Sequence, residues 1–302
     1  MIYILLFFFL TYLILTNPGI CLSYALHGLT IWYQKMVPSL LPFMILSSMM
    51  ISMNLSETCS MLIHPITNMV LRCRKNVSYA ILIGFLCGFP MGAKVTVQLL
   101  KENKISLPEA RYLLAFCNNL GPVYMLSFLI PVLNLSNKKL ILFGMYGLPF
   151  LYGIILRYTY YRKSFDPNDM VCEHRKLHMC NKLLDSLDDS IQNSISAISM
   201  LCGYMILFNM LNILPYFIFH KKAGIWAPLL EITGGILLND HMPALWILII
   251  LPFGGLSCIA QTNSIIKESP LSLKEYLIHK SILTAITTLY YMIVMKTNVS
   301  CF

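Results

Sequence analysis

Residues 84–119 read GFLCGFPMGAKVTVQLLKENKISLPEARYLLAFCNN, and this stretch decides how the chain is organised. Glycine and proline break an apolar run, a lysine follows, and two amides close the stretch. The residues concerned are Gly88, Pro90, Gly92, Lys94, Asn118 and Asn119. Glycine and proline weaken the helical hydrogen-bond ladder, and in a bilayer the freed backbone groups must be met by protein, water or a ligand. The pattern therefore predicts a broken membrane helix, which is a candidate binding site.

A second copy of the pattern lies further along the chain at a constant offset of 166 positions. The segments LLKENKISLPE and IIKESPLSLKE align at that offset without a gap. The identical pairs are Gly88 with Gly254, Lys101 with Lys267, Glu102 with Glu268, Ser106 with Ser272, Leu107 with Leu273 and Glu109 with Glu275. A serine followed three residues later by glutamate can form a capping box that opens a helix. Each copy therefore predicts a broken helix, a charged turn and a capped helix, as expected of an internal repeat.

Composition places the chain among membrane proteins. Of 302 residues 57% are hydrophobic and 12% are charged, about half the usual charged share of a soluble domain. Long charge-free runs, such as 1–34, 112–137 and 190–220, are typical of membrane helices. We expect an all-α, polytopic membrane protein in the lipid bilayer with roughly eight membrane segments.

Charge and cysteine usage exclude several other classes. The net charge of +9 comes from basic residues scattered between apolar segments, which indicates positive-inside anchoring and not a nucleic-acid surface. The ten cysteines include no CxxC pair, so we expect no disulfide framework. Walker, G-x-S-x-G and H-E-x-x-H motifs are absent from the sequence, so we predict no enzyme, no catalytic residue and no cofactor.

Four regions follow from the pattern of apolar and polar segments. Residues 1–36 form an N-terminal membrane and interfacial segment, whose first sixteen residues are expected to be an uncleaved helix. Residues 37–158 hold the first repeat and one further span, 159–189 form a polar loop, and 190–302 hold the second repeat. The second broken helix is placed at Gly254 and Gly255.

The polar loop contains Cys172, His174, His178 and Cys180, which are residue types that bind zinc. Four ligands within nine residues, with Arg175 among them, would be an unusual structural site. We therefore expect a solvated basic loop and no metal.

The basic clusters bear on topology. If residues 77–100, 109–133 and 140–158 all cross, the clusters at 72–75 and 157–182 fall on opposite sides, which the positive-inside tendency disfavours. If 77–100 enters and returns, both clusters are cytoplasmic. We prefer this second arrangement, and we expect from it a pair of inverted repeats, a recurrent transporter plan.

Three long segments carry a family resemblance. They are GFPMGAKVTVQLLKENKISLPEARYLLAFCNNLGPVY, WYQKMVPSLLPF upstream and GGLSCIAQTNSIIKESPLSLKEYL downstream. In this order they resemble the YlbJ family of sporulation integral membrane proteins, of the nucleoside-recognition or Gate domain group. The resemblance implies a multi-pass protein in the mother-cell or forespore membrane of an endospore former, related to segments of nucleoside and ferrous-iron transporters. It supplies no substrate.

The candidate substrate-binding residues are Lys94, Asn118, Asn119, Gln261 and Asn263. An ammonium near broken helix ends needs carbonyls, water or an anion, although Lys94 could instead extend to the interface. Amides suit a polar solute, but they also form hydrogen bonds between packed helices. The glycines at the breaks could equally be close-packing contacts.

Two functions remain open from the sequence. The first is a transporter or permease-like pathway for a small polar solute. The second is a membrane scaffold or assembly factor for the spore cortex or envelope, acting as a homo-oligomer or with other sporulation membrane proteins. Amides within broken helices favour the pathway, whereas the apparent lack of an acidic ion-coupling residue favours the scaffold.

Overall fold

The computed structural model describes residues 2–53, 55–133, 135, 137–162, 182–219, 224–238 and 242–297. These residues form helices and no strand, which confirms the all-α class. The helices are α1 (Ile2–Thr16), α2 (Pro18–Ile31), α3 (Val37–Ser52), α4 (Ser56–Ser60), α5 (His64–Leu71), α6 (Lys75–Cys87), α7 (Met91–Lys101), α8 (Leu107–Phe116), α9 (Pro122–Tyr124), α10 (Ile130–Val132), α11 (Lys138–Leu142), α12 (Leu148–Tyr158), α13 (Lys182–Met210), α14 (Ile213–Phe219), α15 (Trp226–Leu230), α16 (Ile232–Leu237), α17 (Ala244–Ile250), α18 (Gly255–Ile266) and α19 (Leu273–Thr297). The zinc-type residues at 172–180 lie outside the described residues.

Five helical segments of the described chain are long and apolar enough to cross a membrane. They are Pro18–Ser52, Lys138–Tyr158, Leu184–Pro215, Ala244–Ile266 and Leu273–Val294. Three shorter apolar helices accompany them, at Phe7–Thr16, Lys75–Cys87 and Pro122–Val132. The chain is therefore a multi-pass membrane protein, with five spans by this criterion where the sequence led us to expect about eight segments.

The first long span corrects the expected N-terminal region. A boundary between the N-terminal segment and the first repeat was expected after residue 36, but α2 and α3 form one continuous helical segment across it. A π-helical turn, Trp32–Met36, joins them and lies just before Pro38. Similar π-turns at Met125–Leu129 and Phe143–Gly147 lie just before Pro131 and Pro149. Proline lacks an N–H and clashes with the carbonyl four residues earlier, and the wider turn places it within a continuing helix.

In the first repeat, α6 and α7 pack side by side and run in opposite directions. At one end, Arg74 Nε, at the start of α6, lies 3.1 Å from Glu109 Oε1, at the start of α8. At the other end, the break between α6 and α7 meets the break after α8, where Phe89 N donates to Asn119 O at 2.6 Å. The chain thus folds back at Gly88–Pro90, and the turn at 102–106 returns to the level at which α6 began.

The predicted capping box opens α8. Glu109 Oε2 accepts hydrogen bonds from Ser106 N at 2.7 Å and Ser106 Oγ at 3.0 Å. In the second repeat Ser272 Oγ accepts from Glu275 N at 3.4 Å. Both turns therefore lead into a helix whose first amides are satisfied by a side chain.

The two repeats run in the same direction, so the expectation of inverted repeats is wrong. Phe89, at the first break, packs on Gly254, at the second. At the other ends of α7 and α18, Lys101 Nζ lies 3.3 Å from Glu268 Oε2. Because breaks meet breaks and turns meet turns, α7 and α18 are parallel. We call the end of the molecule that carries these turns the turn end.

Within the described residues, the start of the second basic cluster also lies at the turn end, beside the first. Arg157 Nε donates to Leu71 O at 2.8 Å, and Tyr161 Oη donates to Glu275 Oε1 at 2.9 Å. The end of α12 thus lies beside the residues that precede α6, and the expectation that both clusters are cytoplasmic stays a prediction. The second half departs from the predicted boundaries, because α13 already begins at Lys182, within the expected polar loop 159–189.

Candidate functional site

The centre of the molecule is built where the two breaks of the first repeat interlock. A Cβ added at Gly88 would lie 2.1 Å from Gly121 N, and one added at Gly92 would lie 2.6 Å from Cys117 O. Gly88 also has a φ of +76°, which L-residues rarely adopt. The breaks can approach this closely only because glycine has no side chain. For Gly88 and Gly92, packing is thus the role that the structure shows.

A buried lysine completes this centre. Lys280 of α19 is 0% exposed, and its Nζ donates to Asn118 O at 2.5 Å and to Asn119 Oδ1 at 2.8 Å. The ammonium also lies 4.6 Å from the centroid of the Phe89 ring. No carboxylate forms an ion pair with it among the described residues. Lys280 is therefore a buried cation held by a carbonyl of unwound backbone, an amide and an aromatic face.

The predicted amides Asn118 and Asn119 act as internal partners at this centre. Asn118 Nδ2 donates to Thr262 Oγ1 at 3.1 Å and to Tyr276 Oη at 3.2 Å, so it joins α8 to α18 and α19. Asn119 Nδ2 donates to Phe116 O at 2.6 Å. Both residues are buried, at 0% and 5% exposure, and neither lines the cavities described next.

An open cleft, which we call the outer cavity, lies between α7, α13 and α18. It has a volume of about 490 Å³. Its polar walls include Lys94, Gln98, Asn193, Ser196, Gln261 and Ser264. Lys94 Nζ donates to Asn193 O at 3.3 Å, and burial lowers the pKa of the Lys94 ammonium to about 8. The charged turn residues Lys101, Glu102, Lys267 and Glu268 surround the cavity at the turn end.

A second, smaller space, which we call the inner cavity, lies beside the breaks. Its volume is about 130 Å³, and its walls are mostly apolar. Leu201 and Gln261 line both cavities, so the two spaces adjoin at these side chains. Gln261 Nε2 donates to Ser257 Oγ of its own helix at 2.9 Å. The structure thus brings Lys94 and Gln261 to one cleft, whereas the side chain of Asn263 is exposed and lines neither cavity.

The inner cavity contains a buried carboxylate. Glu231, between α15 and α16, is 4% exposed. Its Oε1 accepts from Thr233 N at 3.2 Å, and its Oε2 accepts from Gly234 N at 2.6 Å and Asn209 Nδ2 at 3.2 Å. Burial raises the pKa of this carboxyl, whereas the three N–H donors lower it. A Cβ added at Gly234 would lie 1.9 Å from Asn209 Oδ1, which shows how closely α13 approaches.

Sequence reasoning missed both Lys280 and Glu231, although each left a signal. Lys280 follows Tyr276 by four positions and precedes Leu283 by three, which places it on one helical face with two apolar residues. Glu231 is the sole charge in WAPLLEITGGILL. A lone charge on an apolar face, or within an apolar segment, predicts a buried functional or structural group.

Comparison with known proteins agrees with this architecture. No family model matches the chain, and no solved structure matches it. The chain is 26% identical to the sporulation integral membrane protein YlbJ of Bacillus subtilis (strain 168), in an alignment of 332 residues that covers 96% of this chain and 81% of the relative. The similarity extends over nearly the whole chain and the helices are those of a multi-pass membrane protein, so the comparison supports assigning the chain to the YlbJ family of sporulation integral membrane proteins.

Proposed function

We propose that this protein forms a membrane pathway for a small polar solute and that it acts during sporulation. The observation that carries the proposal is the outer cavity, a polar cleft of about 490 Å³ within a helical membrane protein. Polar walls at membrane depth are costly unless they face water or a ligand. The cleft reaches from the charged turn residues to Pro90 at the central break, which is the arrangement expected of a solute site beside broken helices.

In this proposal α6 and α7 form a re-entrant hairpin. α6 begins and α7 ends at the turn end, and the bend between them contacts the break that follows α8. The positive-inside tendency supports a cytoplasmic position for the turn end, because basic residues such as Arg74, Lys101 and Arg157 lie there. The outer cavity then opens to the cytoplasm, and the described conformation is inward-facing.

Lys94 and Gln261 are the proposed solute contacts. Lys94 supplies positive charge in the wall of the outer cavity, and Gln261 supplies an amide at the junction with the inner cavity. An amide can both donate and accept, which suits a solute with hydroxyl, amide or carboxylate groups. Asn118 and Asn119 support the site by holding the central breaks and Lys280. The proposal is one of transport and assigns no catalytic residue.

The test compares two amides of one helix. Gln261→Leu removes the polar group between the cavities, and Asn263→Leu makes the same type of change on the exposed face of α18. Each variant, with Lys94→Met as a third, is expressed in a sporulating strain that lacks its own relative of this protein. Heat-resistant spores and the amount of protein in the membrane are measured.

We expect Gln261→Leu and Lys94→Met to accumulate in the membrane and to lower spore yield at least tenfold, while Asn263→Leu matches the parent. If Gln261→Leu and Lys94→Met support spores as fully as the parent, the scaffold function replaces the pathway. Loss of function in Asn263→Leu alone would point to the same conclusion, because that side chain faces outward.

A further inference from the structure

The Glu231 carboxylate has no role in the proposed pathway as described so far. It is almost fully buried, yet its three hydrogen-bond donors are neutral N–H groups. Within the described ranges, no lysine or arginine forms an ion pair with it. An ionised carboxylate away from water is costly unless a positive charge compensates it. The structure therefore places one carboxyl group here that no lysine or arginine of the described residues neutralises.

A second observation comes from Tyr124 of α9, which also lines the inner cavity. Its hydroxyl is buried and has no hydrogen-bond partner in the described part of the chain. It faces Thr233, the residue whose amide donates to Glu231, without a hydrogen bond of normal geometry between the two hydroxyls. Buried hydroxyls are nearly always partnered, so this oxygen has capacity to contact a ligand in the inner cavity.

The oxygens available here have the chemistry of a cation site. Glu231, Thr233, Tyr124 and Gln261 all line the inner cavity, and they offer carboxylate, hydroxyl and amide oxygens. Three N–H groups already occupy part of the carboxylate, which leaves acceptor capacity towards the cavity. Oxygen ligands of this kind bind hard cations such as Na⁺, and they also accept hydrogen bonds from an ammonium group. A single carboxylate balances a monovalent charge.

The charged and titratable neighbours are few. His27 of α2 lies next to Glu231, and its Nε2 is 3.3 Å from Gly234 O. Cys258 of α18 lines the same cavity, and Lys35 lies exposed at its rim. None of these forms an ion pair with Glu231.

We propose that Glu231, Tyr124 and Thr233 form a binding site for a monovalent cationic group, either a free Na⁺ ion or the ammonium group of the solute. The inference deepens the proposed pathway, because the inner cavity adjoins the outer one at Gln261. Glu231 would also be the acidic coupling residue that the sequence analysis did not find within a span. It lies outside the five long spans, but it lines the inner cavity.

The test measures thermal unfolding of the purified full-length protein in detergent at pH 8, where histidine is ordinarily neutral. Choline chloride is replaced stepwise by NaCl, KCl or methylammonium chloride at constant ionic strength. A cation that binds the native state raises the unfolding temperature by mass action. We expect a rise of roughly 2–4 °C when the cation concentration is about ten times its Kd.

Three variants make the result specific. Glu231→Gln removes the charge, and Tyr124→Phe removes only the orphaned hydroxyl, so it decides the matter if Glu231→Gln fails to fold. Glu268→Gln removes an exposed carboxylate at the turn end and serves as the matched control.

We expect stabilisation in the parent and in Glu268→Gln, its loss in Glu231→Gln and a weaker response in Tyr124→Phe. A response to Na⁺ identifies an ion site, and a response to methylammonium alone identifies the solute's ammonium group. If no cation stabilises the parent more than choline does, or if Glu231→Gln and Tyr124→Phe respond as the parent does, the proposal is overturned. Because the readout is binding, it can fail while the pathway variants still lose function.

Discussion

Replacing Asn119 by leucine should destabilise the protein chiefly because Lys280 loses an acceptor. The substitution removes the 2.8 Å bond from Lys280 Nζ and leaves Phe116 O without its 2.6 Å donor. A hydrogen bond to a charged group contributes about 1.5–3 kcal/mol, and an orphaned buried carbonyl costs about 1–3 kcal/mol. Since both groups are buried, we expect a loss of about 2.5–6 kcal/mol.

The part that depends on Lys280 can be isolated with a double-mutant cycle. In a Lys280→Met background only the carbonyl cost remains, so Asn119→Leu should be milder by about 1.5–3 kcal/mol. Unfolding free energies are measured by titration with SDS in mixed micelles. Asn263→Leu, on the exposed face of α18, should cost under about 0.5 kcal/mol and should not couple to Lys280. If the effects of Asn119→Leu and Lys280→Met add within about 0.5 kcal/mol, the ammonium is not held as described.

Three other measurements test the surroundings of this centre. Gly88→Ala places a methyl group 2.1 Å from a backbone nitrogen, at a φ of +76°. It should lower the unfolding free energy by at least about 3 kcal/mol in the same SDS titration. In the control Gly203→Ala the new methyl group meets no neighbouring atom within 4 Å, so the unfolding free energy should not fall. Cysteines introduced at Lys101 and Ser269, in a background whose other cysteines are replaced by serine, should react with impermeant reagents from one side only, and reaction from opposite sides would restore the inverted arrangement. Burial lowers the pKa of the Lys94 ammonium to about 8, so this group loses its proton as pH rises from 7 to 9. Its acylation should therefore be half-maximal near pH 8. A midpoint near 10.5, the unshifted value, would contradict the burial of this side chain.

The local features of the repeats were predictable from sequence because they depend on single residues. The breaks at Gly88 and Gly254 follow from glycine, and the cap of α8 follows from Ser106 with Glu109. These are interactions within a few positions of the chain. Composition likewise sufficed for the membrane class.

The relative direction of the repeats was not predictable, because it depends on how many intervening segments cross. Arg157 lies beside Leu71, which agrees with the expected pairing of the basic clusters. The two turns also meet at Lys101 and Glu268, so the number of crossings between them is even. The break after α8 was a further difference between the repeats. Asn118 corresponds at the offset of 166 to Thr284, which lies within the unbroken helix α19.

The candidate site was only partly predictable for a similar reason. Lys94 and Gln261 were found from their place beside glycine breaks, and both line the outer cavity. Asn118 and Asn119 were recognised as polar groups in an apolar setting, but their partner Lys280 lies about 160 positions away, at a separation that local patterns do not report. Glu231 reaches the centre only because α15 and α16 pack against α18 and α2.

The interlocked breaks also constrain how the protein can move. Both repeats are held together at one place by three contacts: Gly88 with Gly121, Phe89 with Gly254, and Lys280 with Asn118. A hinge motion of one hairpin alone would break several of these contacts at once. The opposite wall of both cavities belongs to α13, which packs along α2 and α3 and faces the repeats across the cavities. If the proposed pathway works by alternating access, we expect α2, α3 and α13 to move together relative to the two repeats, with the cavities between the moving parts.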